Sequence, residues 1–262
     1  MKKLRYINLG AIDPNLIDAL WEYSRIIIPE SPTLFSFVPN EDMVLVTNLY
    51  PLDKYLYVEN LSKRYKIARL YKPKSESGNV VYDSLTTVIF SFHFPKKTIS
   101  STELVRAEMA IKVKVLRRYG IEASDSPWRQ NALDLCFKSG EKYKKCGSHI
   151  YKEWDNFIST GSFISFEFNL ELARKLYKME TDKFKKKGSP VDIGDVVGGL
   201  HEINPNIGIE IAPEIAQALA DRFDLEFKED NLTPEETSKI QALADKLNND
   251  NWKLYGKHPE IK

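Results

Sequence analysis

The sequence predicts an α+β fold with a mixed, largely antiparallel sheet flanked by helices. Short segments with alternating apolar residues dominate the first half of the chain, whereas capped amphipathic segments dominate the second half. The strand-like segments follow one another closely, which favours hairpin and therefore antiparallel pairing. A chain of 262 residues with 42% hydrophobic residues has enough material for one large domain, or for a domain with an appendage.

Capping signals and periodicity set the expected elements in order. Asp13 precedes a proline and caps a first helix, while Ser100 and Glu103 form a capping box for the strongest helix, which Gly120 ends. Thr233 begins another capping box, for a helix to about residue 247. We expect further helices over 56–65, 170–184 and 213–223, loops over 191–212, and strands over 4–9, 33–38, 43–47, 66–70, 80–82, 87–94, 133–137, 161–168 and 225–227.

Charge and composition exclude several classes of protein. The chain has 38 basic and 37 acidic side chains, so no global field favours nucleic acid or an anionic membrane. No apolar run approaches the length of a membrane span, and the N-terminus lacks the apolar core of a signal peptide. The four histidines are scattered without ligand spacing, so no metal site is predicted. With two cysteines in one short segment, we expect a soluble, reduced, cytoplasmic protein.

The strongest chemical signal is the segment 134–148, which reads DLCFKSGEKYKKCGS. A short strand leads into a turn, and a lysine-rich segment follows. Lys144, Gly147 and Ser148 form a Lys-x-x-Gly-Ser pattern, in which glycine lets the backbone approach an anion and lysine supplies a positive charge. On spacing alone, a solvated basic hairpin is the stronger interpretation.

Two further segments strengthen the functional interpretation by resemblance. Residues 77–92 read SGNVVYDSLTTVIFSF, and residues 227–252 read FKEDNLTPEETSKIQALADKLNNDNW. With the hairpin, they resemble the catalytic domain of the lipoate–protein ligase A family, in the biotin/lipoate ligase group. The chain departs from that pattern in several places, two of which fall on candidate binding residues. Ser77-Gly78-Asn79 stands where the family has a glycine triplet, and Lys72 and Lys74 replace twin arginines.

The resemblance implies a fold, an activity and a set of site residues. It implies a single catalytic domain over 1–262 that activates lipoate with ATP and Mg²⁺ to lipoyl-AMP, then transfers the acyl group to a lysine of an acceptor domain. It places the catalytic lysine on Lys144. It places substrate and adenylate binding on Lys72, Lys74, Ser77, Gly78, Asn79, Val81, Tyr82, Asp134, Gly147 and Ser148.

The resemblance also implies partners. The acceptor would be a lipoyl domain of a 2-oxoacid dehydrogenase E2 or glycine-cleavage H type. Because the chain stops shortly after Trp252, where the family's ligases continue into an accessory domain, we expect a separate accessory subunit.

Two alternatives remain open at the level of sequence. The first is an octanoyl or lipoyl transferase of the same fold, which needs no ATP and uses a cysteine nucleophile. Neither Cys136 nor Cys146 matches the expected position of that cysteine. The second is a non-catalytic module that binds lipoyl domains. ATP dependence of acyl transfer separates the first from a ligase, and titration with lipoyl-adenylate separates the second.

Overall fold

The computed structural model of the protein describes residues 2–259 apart from 28, 30, 47–50, 55, 62–64, 71–79, 83–85, 126, 128–133, 179–184, 187–188 and 191. It has the α+β architecture that the sequence predicts, with an eight-stranded mixed sheet, a three-stranded sheet and flanking helices. Within these described residues, no helix is both long enough and apolar enough to cross a membrane.

The elements follow the chain in this order. The strands are β1 (Lys3–Ile12), β2 (Thr33–Pro39), β3 (Met43–Val46), β4 (Lys66–Arg69), β5 (Val80–Tyr82), β6 (Thr87–Pro95), β7 (Ala123–Asp125), β8 (Asp134–Ser139), β9 (Lys142–Glu153), β10 (Phe157–Ser165), β11 (Lys185–Lys186), β12 (Ser189–Pro190) and β13 (Glu226–Glu229). The α-helices are α1 (Ile17–Trp21), α2 (Tyr23–Ile26), α3 (Ser101–Arg118), α4 (Leu170–Leu176), α5 (Ile211–Arg222), α6 (Pro234–Leu247) and α7 (Asp250–Lys253). Short 3₁₀ helices span Pro14–Leu16, Leu52–Lys54, Val58–Asn60, Ile193–Asp195 and Leu200–Glu202.

The large sheet has the strand order β13-β1-β2-β6-β10-β9-β8-β7. Strand β1 pairs in parallel with both β13 and β2, whereas every pair from β2 to β7 is antiparallel. In the small sheet, β3 lies between parallel β4 and antiparallel β5. The sheet is therefore mixed and largely antiparallel, which confirms the predicted fold class.

The two faces of the large sheet contact different neighbours. Alternate residues of each strand point to opposite faces. One face packs on α3 and α5 and is called the α3 face; its buried strand residues include Phe90, Leu135, Phe137, Cys146 and Ile164. The other packs on α1, α6 and the small sheet and is called the small-sheet face; its buried strand residues include Ile89, Ile150 and Phe163, together with Met43 and Leu45 of β3.

A buried polar cluster fills the α3 face beneath β9. Lys112 of α3 donates hydrogen bonds to His149 Nε2, at 2.8 Å, and to the hydroxyl of Ser162, and its Nζ lies 3.8 Å from a carboxylate oxygen of Glu108. Burial lowers the pKa of Lys112 to about 8, while burial and the neighbouring Lys112 charge lower the pKa of His149 well below its usual value. His149 is therefore neutral at physiological pH and accepts from the lysine.

One pair of backbone contacts explains two errors in the predicted helices. Helices were expected over 56–65 and 170–184, but the described part of the first contains only 3₁₀ turns, and the second ends at Leu176. Leu56 and Tyr177 form an antiparallel bridge, and the Tyr57 N–H donates to the Leu176 carbonyl at 2.9 Å. This long-range pairing takes backbone groups that helical continuation would use, so tertiary contacts override local propensity.

Other local signals are confirmed. Ser100 with Glu103 and Thr233 with Glu236 each form a complete capping box at the start of α3 and α6. The strand expected over 161–168 is shifted to Phe157–Ser165, and the helix expected from residue 213 begins at Ile211. Capping residues act locally, which is why they are easier to predict than strand ends.

We predict that His93 makes the fold acid-sensitive. His93 is fully buried, contacts Ser91, Ser159 and the Leu20 carbonyl, and has a pKa lowered to about 3 by burial. The unfolded chain, with an ordinary histidine pKa of about 6.5, binds the proton first as the pH falls, so the stability contribution is complete above that value. Below about pH 6.5, and down to about pH 3, the contribution of His93 to the free energy of unfolding should fall by about 1.4 kcal/mol per pH unit.

Urea unfolding over that pH range measures this loss. In a plot of the free energy of unfolding against pH, His93→Gln should have a shallower slope than the unmodified chain. The difference should correspond to the uptake of about one proton on unfolding. His201→Gln, at a partly exposed histidine, is the matched control. An unchanged slope in His93→Gln would contradict the buried, neutral state of this ring.

Candidate active site

The predicted hairpin is formed by β8 and β9, joined by a tight turn. Gly140 has a φ of +61°, a left-handed conformation that glycine adopts without steric cost. Ser139 pairs with Lys142, Lys138 with Tyr143, and Phe137 with Lys144. The basic segment is therefore a regular strand next to the turn, with alternate side chains on opposite faces.

A β-bulge interrupts this regular pairing. Cys136 pairs with Lys145 and Leu135 pairs with Gly147, which leaves Cys146 without a pairing position on β8. A bulge adds one residue to one strand and thereby shifts the alternation of side chains beyond it. The thiol of Cys146 is buried in the core of the α3 face. The faces to which the hairpin lysines point are thus determined by Cys146.

Asp134, Lys145 and Ser148 lie on the small-sheet face. Lys145 pairs with Cys136 and Ser148 pairs with Asp134, and both positions alternate with Leu135 and Phe137 of the α3-face core. Lys145 Nζ lies 2.7 Å from Asp134 Oδ1, and Ser148 Oγ donates to the same oxygen at 3.4 Å. The result is a compact cluster of one ammonium, one carboxylate and one hydroxyl.

Lys144, the predicted catalytic lysine, lies on the α3 face. It pairs with Phe137, whose ring is buried there. Lys144 Nζ donates to Glu202 Oε2 at 2.8 Å, and Ser139 Oγ donates to the same oxygen at 3.1 Å. Glu202 belongs to the 3₁₀ helix Leu200–Glu202, so Lys144 ties the hairpin to that turn. Its catalytic role stays a prediction.

Gly147 is required by a close backbone approach. A Cβ at this position would lie 2.3 Å from the Phe163 carbonyl oxygen of β10 and 3.2 Å from Leu135 Cβ. The sequence predicted that this glycine admits an anion to the backbone. In the structure, the group that approaches Gly147 is the neighbouring strand, at the point where the bulge brings the two backbones together.

The other predicted binding residues precede the hairpin in sequence. Val81 and Tyr82 form β5, where they pair with Val44 and Met43 of β3 in the small sheet. Five predicted binding residues fall outside the described residues: Lys72, Lys74, Ser77, Gly78 and Asn79.

Sequence reasoning missed the segment that completes the hairpin. The Lys145 N–H donates to the Val196 carbonyl at 2.8 Å, and the Gly198 N–H donates to the Lys145 carbonyl at 3.0 Å. A Cβ at Gly199 would lie 2.3 Å from the Phe166 carbonyl oxygen, so this glycine too marks a close approach. The adjacent glycines in a region predicted as loops were the available signal for such packing.

Neither cysteine has the environment of a nucleophile. Cys136 and Cys146 are both buried, with at most 1% of their surface exposed. Burial raises the pKa of the Cys146 thiol well above its usual value, and the neighbouring Cys136 adds to the effect. Reactive cysteines are accessible and have a lowered thiol pKa.

Searches against known proteins support the same fold. No protein-family model matches the chain. An octanoyltransferase of Clostridioides difficile strain 630 is 28% identical over 132 residues, which are 47% of the chain and 48% of that relative. The match therefore spans about half the length of the curated relative.

Solved structures match over nearly the whole chain. A bi-partite lipoate protein ligase from Thermoplasma acidophilum, analysed together with its E2 lipoyl domain, matches with a TM-score of 0.80 and 16% identity, covering 100% of the chain and 99% of that structure. A lipoate-protein ligase A bound with ATP matches with a TM-score of 0.77 and 17% identity, covering 97% and 99%. The chain has the fold of the lipoate–protein ligases, as the resemblance implied.

We predict that Gly147→Ala destabilises the sheet. Because the obstructing atom is a backbone oxygen, β9 and β10 must separate to admit the methyl group, at a cost of about 1–3 kcal/mol. Urea unfolding measures the change in the free energy of unfolding. Gly208→Ala is the matched control, since a Cβ there first meets the end of the flexible Glu210 side chain, at 2.7 Å. Equal stability of the two variants would contradict the close approach.

Proposed function

We propose that the chain is a lipoate–protein ligase that activates lipoate with ATP and transfers the lipoyl group to an acceptor lysine. Two observations support this: the fold of the lipoate–protein ligases, and a hairpin ammonium on the sheet face on which Met43 and Leu45 of the small sheet are packed. The second observation carries the proposal, because a fixed positive charge on a rigid strand is what an acyl-adenylate reaction needs.

The reaction consists of two displacements. In the first, a lipoate carboxylate oxygen attacks the α-phosphorus of ATP, the bond to the β-phosphate breaks, and pyrophosphate leaves. In the second, the amine of the acceptor lysine attacks the acyl carbon of lipoyl-AMP, the carbon–oxygen bond to AMP breaks, and the amine loses a proton. Negative charge develops on phosphate oxygens in the first step and on the acyl oxygen in the second, so a fixed cation stabilises both transition states.

The hairpin supplies that cation. Its strand is held on both edges, by β8 on one side and by Val196 and Gly198 on the other, so an ammonium extends from a fixed backbone. A charge that is already in place costs little reorganisation when the transition state forms. The sequence pattern predicts Lys144 for this role, and Lys145 is the adjacent candidate.

Mg²⁺ would enter with ATP. Within the described ranges, no group of three or more histidine, cysteine, aspartate or glutamate side chains could hold a metal ion by itself. Magnesium in nucleotide sites is usually held by substrate phosphates with one or two carboxylates, and Asp134 is a carboxylate at the proposed site. Asp134 together with nucleotide phosphates would thus suit a Mg²⁺ ion that arrives with ATP. Such an ion would neutralise part of the phosphate charge.

We propose two protein partners. The ligase of Thermoplasma acidophilum is bi-partite and was analysed together with its E2 lipoyl domain. By analogy, the acceptor here is a lipoyl domain of the E2 or glycine-cleavage H type, and a separate accessory subunit completes the ligase.

The second candidate function is ATP-independent octanoyl or lipoyl transfer. The relationship to an octanoyltransferase favours it. A transferase that forms a thioester needs an accessible cysteine with a lowered thiol pKa. Both cysteines of this chain are buried, and the pKa of Cys146 is raised, so the site favours adenylate chemistry.

We predict lipoate-dependent exchange of pyrophosphate into ATP by the chain with its accessory subunit. The first displacement is reversible, so labelled pyrophosphate should enter ATP only when lipoate is present. Transfer of octanoyl groups from a carrier domain without ATP, and without exchange, would favour the transferase. Retained binding of the acceptor domain, with no binding of lipoyl-adenylate, would indicate a non-catalytic module.

We predict that Cys146→Ala retains ATP-dependent lipoyl transfer. The substitution removes a buried thiol and leaves the backbone pairing of the bulge in place. The rate of acceptor lipoylation measures the effect, and Cys136→Ala tests the second thiol in the same way. Complete loss of transfer in a folded variant would assign the nucleophile to that cysteine and overturn the ligase.

A further inference from the structure

We infer that Lys145, rather than Lys144, supplies the cation of the adenylate site, with Asp134 positioning it. This inference rests on the proposed function and assigns the role to one residue of the hairpin. It is supported by the bulge, by the face on which the small sheet packs, and by the different partners of the two lysines.

The register of β9 decides which lysine lies beside Asp134. A lysine three residues before the glycine would share a face with Asp134 if β9 paired regularly up to that glycine. Cys146 has no pairing position on β8, so the pairing of the residues before it is shifted by one residue. Lys145 is consequently the lysine that shares a face with Asp134 and Ser148.

The two faces of the sheet at the hairpin have different neighbours. Beneath the hairpin, the α3 face is occupied by Leu135, Phe137 and Cys146, packed in one core with α3 and α5. The small-sheet face presents the polar side chains of Asp134 and Lys145, whose exposure of 22% and 29% is similar to that of Glu202 and Lys144. Exposure therefore does not separate the two lysines, but the face does, because Met43 and Leu45 of the small sheet pack on the face that carries Lys145.

The two lysines differ in the segments to which their partners belong. Lys144 is paired with Glu202 of the 3₁₀ helix Leu200–Glu202, which also accepts from Ser139, so this charge ties the turn to a neighbouring segment. Lys145 is paired with Asp134 of the adjacent strand β8, and this pair is partly exposed. The ammonium of Lys145 can therefore meet a phosphate oxygen without releasing another segment of the chain.

Asp134 acts as a positioning residue in this arrangement. Its carboxylate holds the Lys145 ammonium at 2.7 Å, and Ser148 donates to the same oxygen. The free side chain of a lysine populates many rotamers, and an ion pair restricts them to those directed over the small-sheet face. Pre-orientation of this kind reduces the entropy lost when the anion binds.

The test compares Lys145→Met with its matched control Lys144→Met in the full chain with its accessory subunit. Both remove one ammonium from adjacent positions of the same strand. In lipoate-dependent pyrophosphate exchange, Lys145→Met should lose about 100-fold or more in kcat, the effect of removing one preorganised electrostatic group. Lys144→Met should keep most of its exchange rate and instead show a lower unfolding midpoint.

Chemical rescue separates a catalytic from a structural role. Lys145→Cys treated with 2-bromoethylamine regains an ammonium at nearly the original distance and should recover exchange. Treated Lys144→Cys should show no comparable gain in exchange. The unmodified chain, treated in parallel, controls for reaction at Cys136 and Cys146, which are buried. Failure of treated Lys145→Cys to recover would count against a role for its charge.

Asp134→Asn tests the positioning role through a double-mutant cycle. The substitution should reduce kcat in the unmodified chain but have little further effect in the Lys145→Met background, because the two side chains act as one unit. Additive losses would show that Asp134 acts independently of Lys145.

A final measurement distinguishes failure of the inference from failure of the proposed function. The probe is lipoyl-sulfamoyl-adenosine, an unreactive analogue of lipoyl-AMP, titrated into each variant by calorimetry. One outcome is that the unmodified chain binds the analogue and catalyses exchange while Lys144→Met loses both and Lys145→Met keeps both. That result would overturn the assignment to Lys145 and leave the proposed ligase activity intact. Neither binding nor exchange by the unmodified chain would overturn the ligase, and the assignment with it.

Discussion

The close approach of two backbones at Gly147 determines the geometry of the candidate site. The absence of a Cβ lets β9 lie against the Phe163 carbonyl of β10, in a position where a methyl group would be 2.3 Å away. Immediately before that contact, Cys146 leaves the register and its thiol enters the α3-face core. The bulge is therefore fixed by the buried Cys146 thiol and by the close contact of Gly147 with β10. It determines the face of the sheet to which the preceding side chains point.

The polar groups of the hairpin form two clusters on opposite faces of the sheet. On one face, Glu202 accepts hydrogen bonds from Lys144 and Ser139. These bonds tie the turn to the segment that also pairs with the Lys145 backbone. On the opposite face, Asp134, Lys145 and Ser148 form a cluster with partial exposure. Two adjacent residues of identical chemistry thus have different surroundings, because the pleat directs them to opposite faces of the sheet.

Much of the fold could be predicted from the sequence because its signals are local. The capping boxes at Ser100 and Thr233 act within one turn of their helices, and the alternation in β6 reports burial directly. The helices expected around Leu56 and after Leu176 were wrong because a bridge between distant residues decides their ends. No local pattern contains that information.

The site shows the same division. The sequence located the hairpin with Asp134 and Ser148 on its two strands, and the resemblance implied the fold that the solved structures share. It could not reveal the bulge, because the deciding contacts come from Phe163, Val196 and Gly198, all distant in sequence. Counting from a motif assumes regular pairing, and one unpaired residue changes which lysine shares a face with Asp134.

The most direct test of this account is a crystal structure of the chain with lipoyl-sulfamoyl-adenosine bound. We expect the analogue to lie on the small-sheet face, with the Lys145 ammonium at about 3 Å from an oxygen of the sulfamoyl linkage. Lys144 should remain on Glu202. An analogue bound by Lys144 on the α3 face, with Lys145 still paired to Asp134, would contradict the account.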